Sequence, residues 1–72
     1  MELNEKIQLL ADMFELEPEK INADTVLTDL EAWDSMSKLS LIVLMDDECG
    51  KKLTGEQIRE FVTVGDILNF MD

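Results

Sequence analysis

Asp34-Ser35-Met36 opens the most apolar stretch of the chain, which runs through Leu41-Ile42-Val43-Leu44-Met45 and closes on Asp46-Asp47-Glu48-Cys49-Gly50. Met36, Leu39, Ile42, Val43 and Met45, with Leu41 and Leu44, recur at helical spacings and give an unusually broad apolar surface. The pattern predicts a helix from Ser35 to about Cys49, either nearly surrounded or facing both a core and a cavity. Gly50 is a natural left-handed stop, and Lys51 and Lys52 would complement the negative end of this helix. Asp46, Asp47 and Glu48 close it on the solvent side. Ser35 then stands at the positive end, on the surface. It could be an ordinary N-cap, but Asp34 can take that role and leave the Ser35 hydroxyl free. The chain has no histidine, one cysteine and no glycine-rich phosphate loop. Acid–base or nucleophilic work needs paired groups in a cleft, so the serine reads as an attachment point and the chain as a non-enzyme.

Upstream, Leu3, Ile7, Leu10, Ala11 and Phe14 fall on one face of a helix from about Glu2 to Glu15, with Leu9 and Met13 widening it. Asn4, Glu5, Gln8 and Asp12 fall on the other side. Pro18 ends this helix or follows its end. From Leu16 to Asp34 there is no clean period. The segment reads as a long ordered loop pinned by Ile21, Val26, Leu27 and Leu30, with a short helical turn near Glu19 to Ile21 or Thr28 to Glu31. Downstream, Thr54-Gly55-Glu56-Gln57 has the spacing of a capping box and starts a short helix to about Phe61. Thr63 precedes a similar box, and Val64, Ile67, Leu68 and Met71 form the stripe of a last helix. The expected fold is all-α, an antiparallel bundle of three main helices plus one short helix, with a long loop between helices 1 and 2. Leu39, Ile42, Val43, Phe61 and Ile67 are assigned mostly to the core.

Seventy-two residues, 46% of them hydrophobic, suffice for a single domain spanning 1–72 and one core. Cys49 alone cannot form an intrachain disulfide, and next to acids and without histidine it is an inert helix residue in a reducing compartment. No secretory signal is visible, and the Leu41–Met45 run is too short to span a bilayer. The expected location is the cytoplasm. Seventeen acids against six bases give a formal charge of −11. That balance excludes nucleic acid, whose phosphates need clustered Lys and Arg, and favours partners with basic patches. Self-repulsion also weakens the compact state. No calcium loop, histidine or paired cysteine suggests a metal site.

Taken together, the helical pattern, the size, the charge and Asp34-Ser35-Met36 resemble the acyl carrier proteins and the related peptidyl and aminoacyl carriers. The resemblance covers nearly the whole chain, from the acidic first helix to Thr63-Val64 opening the last. Met36 replaces the leucine of the family's Asp-Ser-Leu motif. The resemblance implies that Ser35 carries 4′-phosphopantetheine, transferred from coenzyme A by a separate magnesium-dependent phosphopantetheinyl transferase. It implies an acyl cargo held as a thioester, with an aminoacyl or peptidyl cargo as the alternative. The remaining alternative is an unmodified acidic helical module that binds a basic partner.

Beside that serine, Asp34 either orients the hydroxyl or helps hold metal during transfer, or is a capping acid. By the same resemblance, Met36 contacts partners beside the arm, and Asp46, Asp47 and Glu48 meet Arg and Lys of loading ligases, synthases and transferases. The carrier is expected to be monomeric, and residues of helices 2 and 3 can part to line an acyl pocket. Trp33 anchors the loop or flanks the arm. One departure stands out. The places soon after the serine, where fatty-acid carriers hold acids, are Ser37, Lys38 and Ser40, and Trp33 stands where small residues are common. The chain therefore resembles a carrier of a specialised pathway.

Overall fold

The computed structural model describes residues 2–71. Among the described residues four helices follow one another: α1 (Leu3–Phe14), α2 (Ser35–Cys49), α3 (Gly55–Glu60) and α4 (Val64–Phe70). The expected bundle is present, although the last helix, at seven residues, is nearly as short as the third. Two single 3-10 turns, Pro18–Lys20 and Leu27–Asp29, break the long loop close to the two places expected. α1 packs against α2, α4 and the first of these turns.

α1 stops before Pro18 is reached. Its C-cap, Glu15, adopts left-handed angles (φ 58°), and the Glu15 and Leu16 amides return to Asp12 O and Ala11 O. Leu10, Ala11 and Phe14 face the core as expected, and Gln8 bonds Asp12 across one turn of the solvent face at 2.9 Å. One assignment on this helix is corrected, and one buried residue is added. Leu3 is 57% exposed, and Lys6 is buried in its place. The Lys6 stem lies four residues before Leu10 on the inward stripe, and its ammonium lies 3.5 Å from Leu68 O in the last turn of α4. A cation there complements the partial negative charge of the helix end.

Lys51 behaves in the same way. Its backbone amide closes α2 onto Met45 O, but its ammonium donates to Phe70 O at 2.8 Å and lies over the Phe70 ring. The side chain thus serves the end of α4. Gly50 is the left-handed stop of α2, as expected.

The loop is held by its backbone as well as its side chains. Ile21 and Leu27 are buried, and Val26 and Leu30 are half-buried. Val26 pairs antiparallel with Thr63. Leu27 N donates to Val62 O, Val64 N to Thr25 O and Gly65 N to Ala23 O, all at 2.9 Å. Asn22 shapes the preceding turn by accepting from Asp24 N at 2.8 Å. This seam satisfies amides at the start of α4 that a helix cannot satisfy internally. At its tightest point a Cβ on Gly65 would sit 2.8 Å from Ala23 O, so only glycine fits without a shift.

Candidate functional site

The seam delivers the chain to the start of α2. Trp33 N returns to Leu30 O, and the indole packs edge-on against Phe14 of α1, with centroids 6.1 Å apart. Trp33 is therefore a loop anchor. Its outer side also lines the groove that reaches Ser35, so it flanks the site as well.

Asp34 is the N-cap of α2. Its carboxylate accepts from Ser37 N at 2.9 Å, and Ser37 Oγ accepts from Asp34 N at 2.9 Å, a reciprocal capping box. The Ser37 hydroxyl also donates to Asp34 O. This is why Ser37, although polar, is buried. Lys38 N completes the first turn on Asp34 O.

With Asp34 as cap, Ser35 is the first helical residue. It is exposed, and its hydroxyl makes no hydrogen bond among the described residues. The Ser35 and Met36 amides likewise make none. Free amides and the positive end of a fifteen-residue helix favour an anion at this point. A phosphodiester linked through the Ser35 oxygen therefore fits the residues present. No group of His, Cys, Asp and Glu among the described residues is arranged to hold a metal ion.

Along α2 the burial corrects the sequence reading. Leu41 and Met45 are fully buried and Ile42 is half-buried, but Leu39 is 60% and Val43 58% exposed. Residues two apart lie about 200° apart around a helix, so the Leu41 and Leu39 faces are nearly opposite. α2 is apolar on both, and only one can meet the core. Met36, 73% exposed, continues the outward strip beside Ser35. Asp46, Asp47 and Glu48 are exposed in the last turns, as expected. Asp47 and Glu48 border the depression that runs along Met36, Leu39 and Val43.

Between α2 and α3 lies a groove of about 520 Å³. Ser35 and Lys38 stand on its α2 wall, Leu39 and Ile42 further along, and Ile58 and Phe61 opposite. Of the sequence-assigned core residues, Ile67 is buried, while Phe61 is half-buried and bounds this groove. Thr54 caps α3 through a box with Gln57, so the opposite wall starts where the Thr-x-x-Gln spacing predicts. Lys38, noted in the sequence only as a departure from the family pattern, rests its ammonium 5.5 Å from the Trp33 ring centroid. The i, i+5 separation of Trp33 and Lys38 held no signal for this contact, because Trp33 precedes the helix.

A small helical bundle that offers an unencumbered hydroxyl at a capped helix start has the surface that a covalently attached arm requires. Known proteins agree. Residues 7–71 match the family described as "Phosphopantetheine attachment site". The chain is 32% identical over 73 residues to an "Acyl carrier protein" of Thermosynechococcus vestitus, covering 99% of this chain and 89% of that protein. It is also 32% identical over 64 residues to an "Acyl carrier protein" of Lactobacillus acidophilus, covering 88% and 79%. No solved structure matches significantly. The chain belongs to the acyl carrier protein family. It is a carrier whose cofactor is 4′-phosphopantetheine, and not a catalyst. No described helix is long and apolar enough to cross a membrane.

Proposed function

We propose that this protein holds acyl intermediates on a 4′-phosphopantetheine arm attached to Ser35 and presents them, as a cytoplasmic monomer, to enzymes of a fatty-acid, polyketide or related specialised pathway. The observation that carries the reading is the exposed Ser35 hydroxyl, free of hydrogen bonds at a helix start capped by its neighbour. A transferase can reach such an oxygen without opening the fold. The arm supplies a terminal thiol that holds cargo as a thioester; the protein supplies position and address. The names of the two relatives favour acyl over aminoacyl cargo.

Asp34 holds the helix start rigid and keeps the serine turned outward through its bond to Ser37. Partner enzymes dock on the outward face of α2. Met36, with Leu39 and Val43, offers an apolar strip, and Asp46, Asp47 and Glu48 offer charge to basic patches on the transferase, the loading ligase and the synthases. The charges set encounter rates and the strip supplies burial. Lys38 and Ser40 stand near the serine where acids would otherwise front this face. This supports partners whose basic residues meet only its far end, as in a specialised pathway.

The test is direct. Purified protein is incubated with coenzyme A, magnesium and a promiscuous phosphopantetheinyl transferase, and its intact mass is recorded. One prosthetic-group addition is expected, absent in Ser35→Ala. No addition to the wild type, or an addition that survives Ser35→Ala, overturns the assignment.

A further inference from the structure

Three depressions meet near the start of α2, and they differ in charge. The one toward α1 is lined by Glu15 and Asp34. The one along the outward strip is lined by Asp47 and Glu48. The groove between α2 and α3 has no carboxylate among its described lining residues, and it holds two cations, Lys38 and Arg59. In a chain of seventeen acids and six bases, that groove is the only one of the three where an anion escapes the field of nearby carboxylates.

From this we infer that Lys38 is the anion partner of the arm. Its ammonium, held over Trp33 one turn beyond Ser35, pairs with the phosphodiester and directs the arm into the α2–α3 groove. The inference rests on Ser35 as the attachment point. Ser35 and Lys38 are three residues apart, so their side chains leave α2 on the same face. Both line this groove. Lys38 is half-buried and already ordered by the indole, which is itself fixed against Phe14. Little side-chain freedom is left to lose when the pair forms. The single negative charge of a phosphodiester then meets a single ammonium at the groove's entrance, and the apolar walls of Leu39, Ile42 and Ile58 lie beyond. Lys38 acts here as a positioning residue: it fixes the arm and takes no part in chemistry.

The experiment compares apo and arm-bearing forms of wild type, Lys38→Gln, Lys38→Met and Lys38→Arg, with intact mass confirming the arm in each. Two quantities are read: the change in Tm when the arm is added, and the change in emission of Trp33, the only tryptophan. A structural role of Lys38 on the indole lowers Tm in both forms and cancels in the difference. The wild-type change in Tm at low salt is expected to exceed that of Lys38→Gln and Lys38→Met by about 2–4 °C. The excess should shrink in high salt and persist in Lys38→Arg. Arm addition should shift Trp33 emission in wild type and Lys38→Arg more than in the neutral variants. Equal changes in Tm across all four proteins, each carrying the arm, overturn the role of Lys38 and leave Ser35 attachment standing. A wild type that takes up no arm overturns both.

Discussion

Glycine substitutions give opposite results at two positions if the loop seam is as tight as described. Gly55 and Gly65 both lie in the first turn of a helix, α3 and α4 respectively. A Cβ at Gly55 meets nothing within 4 Å, whereas one at Gly65 meets Ala23 O at 2.8 Å and Ala23 Cβ at 3.4 Å. Gly→Ala at an unstrained site stabilises by about 0.4–1 kcal/mol, chiefly by reducing the freedom of the unfolded chain. That gain is shared by both variants and cancels when they are compared. What remains is the overpacking cost at Gly65, about 1–3 kcal/mol. The obstacle is backbone, so it cannot rotate away. It is also the acceptor of the 2.9 Å bond from Gly65 N, so relief by retreat lengthens that bond. Urea unfolding of wild type, Gly55→Ala and Gly65→Ala should place Gly55→Ala above wild type and Gly65→Ala below Gly55→Ala by that margin. In a domain of this size each kcal/mol corresponds to about 4–8 °C in Tm. Equal stabilisation in the two variants would refute the close approach, and with it the claim that the seam fixes the loop leading to Ser35.

Three further outcomes are expected. Lys6→Met keeps the buried stem but removes the cation from the end of α4; it should cost about 0.5–2 kcal/mol by urea titration, and Lys6→Glu should cost more. Asp66 accepts from Val62 N at 2.8 Å and Thr63 N at 3.1 Å, bonds that lower its pKa from the ordinary 3.8; its contribution is therefore complete above that value and lost as pH falls through the lower folded-state value, so the stability gap between wild type and Asp66→Asn should be constant near neutrality and narrow in acid. Because the formal charge is −11, Tm should rise with added salt; a melt unchanged between low and high ionic strength would show that self-repulsion is negligible.

Much of this architecture could be read from the chain because its signals are local. The Thr54 and Gln57 box, the Gly50 stop and the Leu10, Ala11 and Phe14 stripe each depend on neighbours within a turn or two. Asp34 and Ser35 belong to this group, since a capping acid one residue ahead of a serine leaves the hydroxyl outside the helix ladder. What could not be read depends on distant partners. α2 is apolar on opposite faces, so periodicity alone could not say that Leu41 and Met45 turn inward while Leu39 and Val43 turn outward. The destinations of Lys6 and Lys51 are carbonyls of α4, 62 and 19 residues away. Lys6 did leave one clue, its place four residues before Leu10. The seam between residues 23–27 and 62–65 is mostly backbone to backbone, and such pairing leaves little trace in side-chain pattern.

The outward position of Met36 has a chemical consequence. Met36 is 73% exposed beside Ser35, which opens its side chain to peroxide. Oxidation there yields a polar, chiral sulfoxide that a reductase can reverse. The core needs nothing from this side chain, so the fold would survive the change while the foremost apolar contact of the strip was lost. If partners dock on this strip as proposed, oxidation of Met36 would weaken that docking without unfolding the protein, and repair of one sulfur atom would restore it.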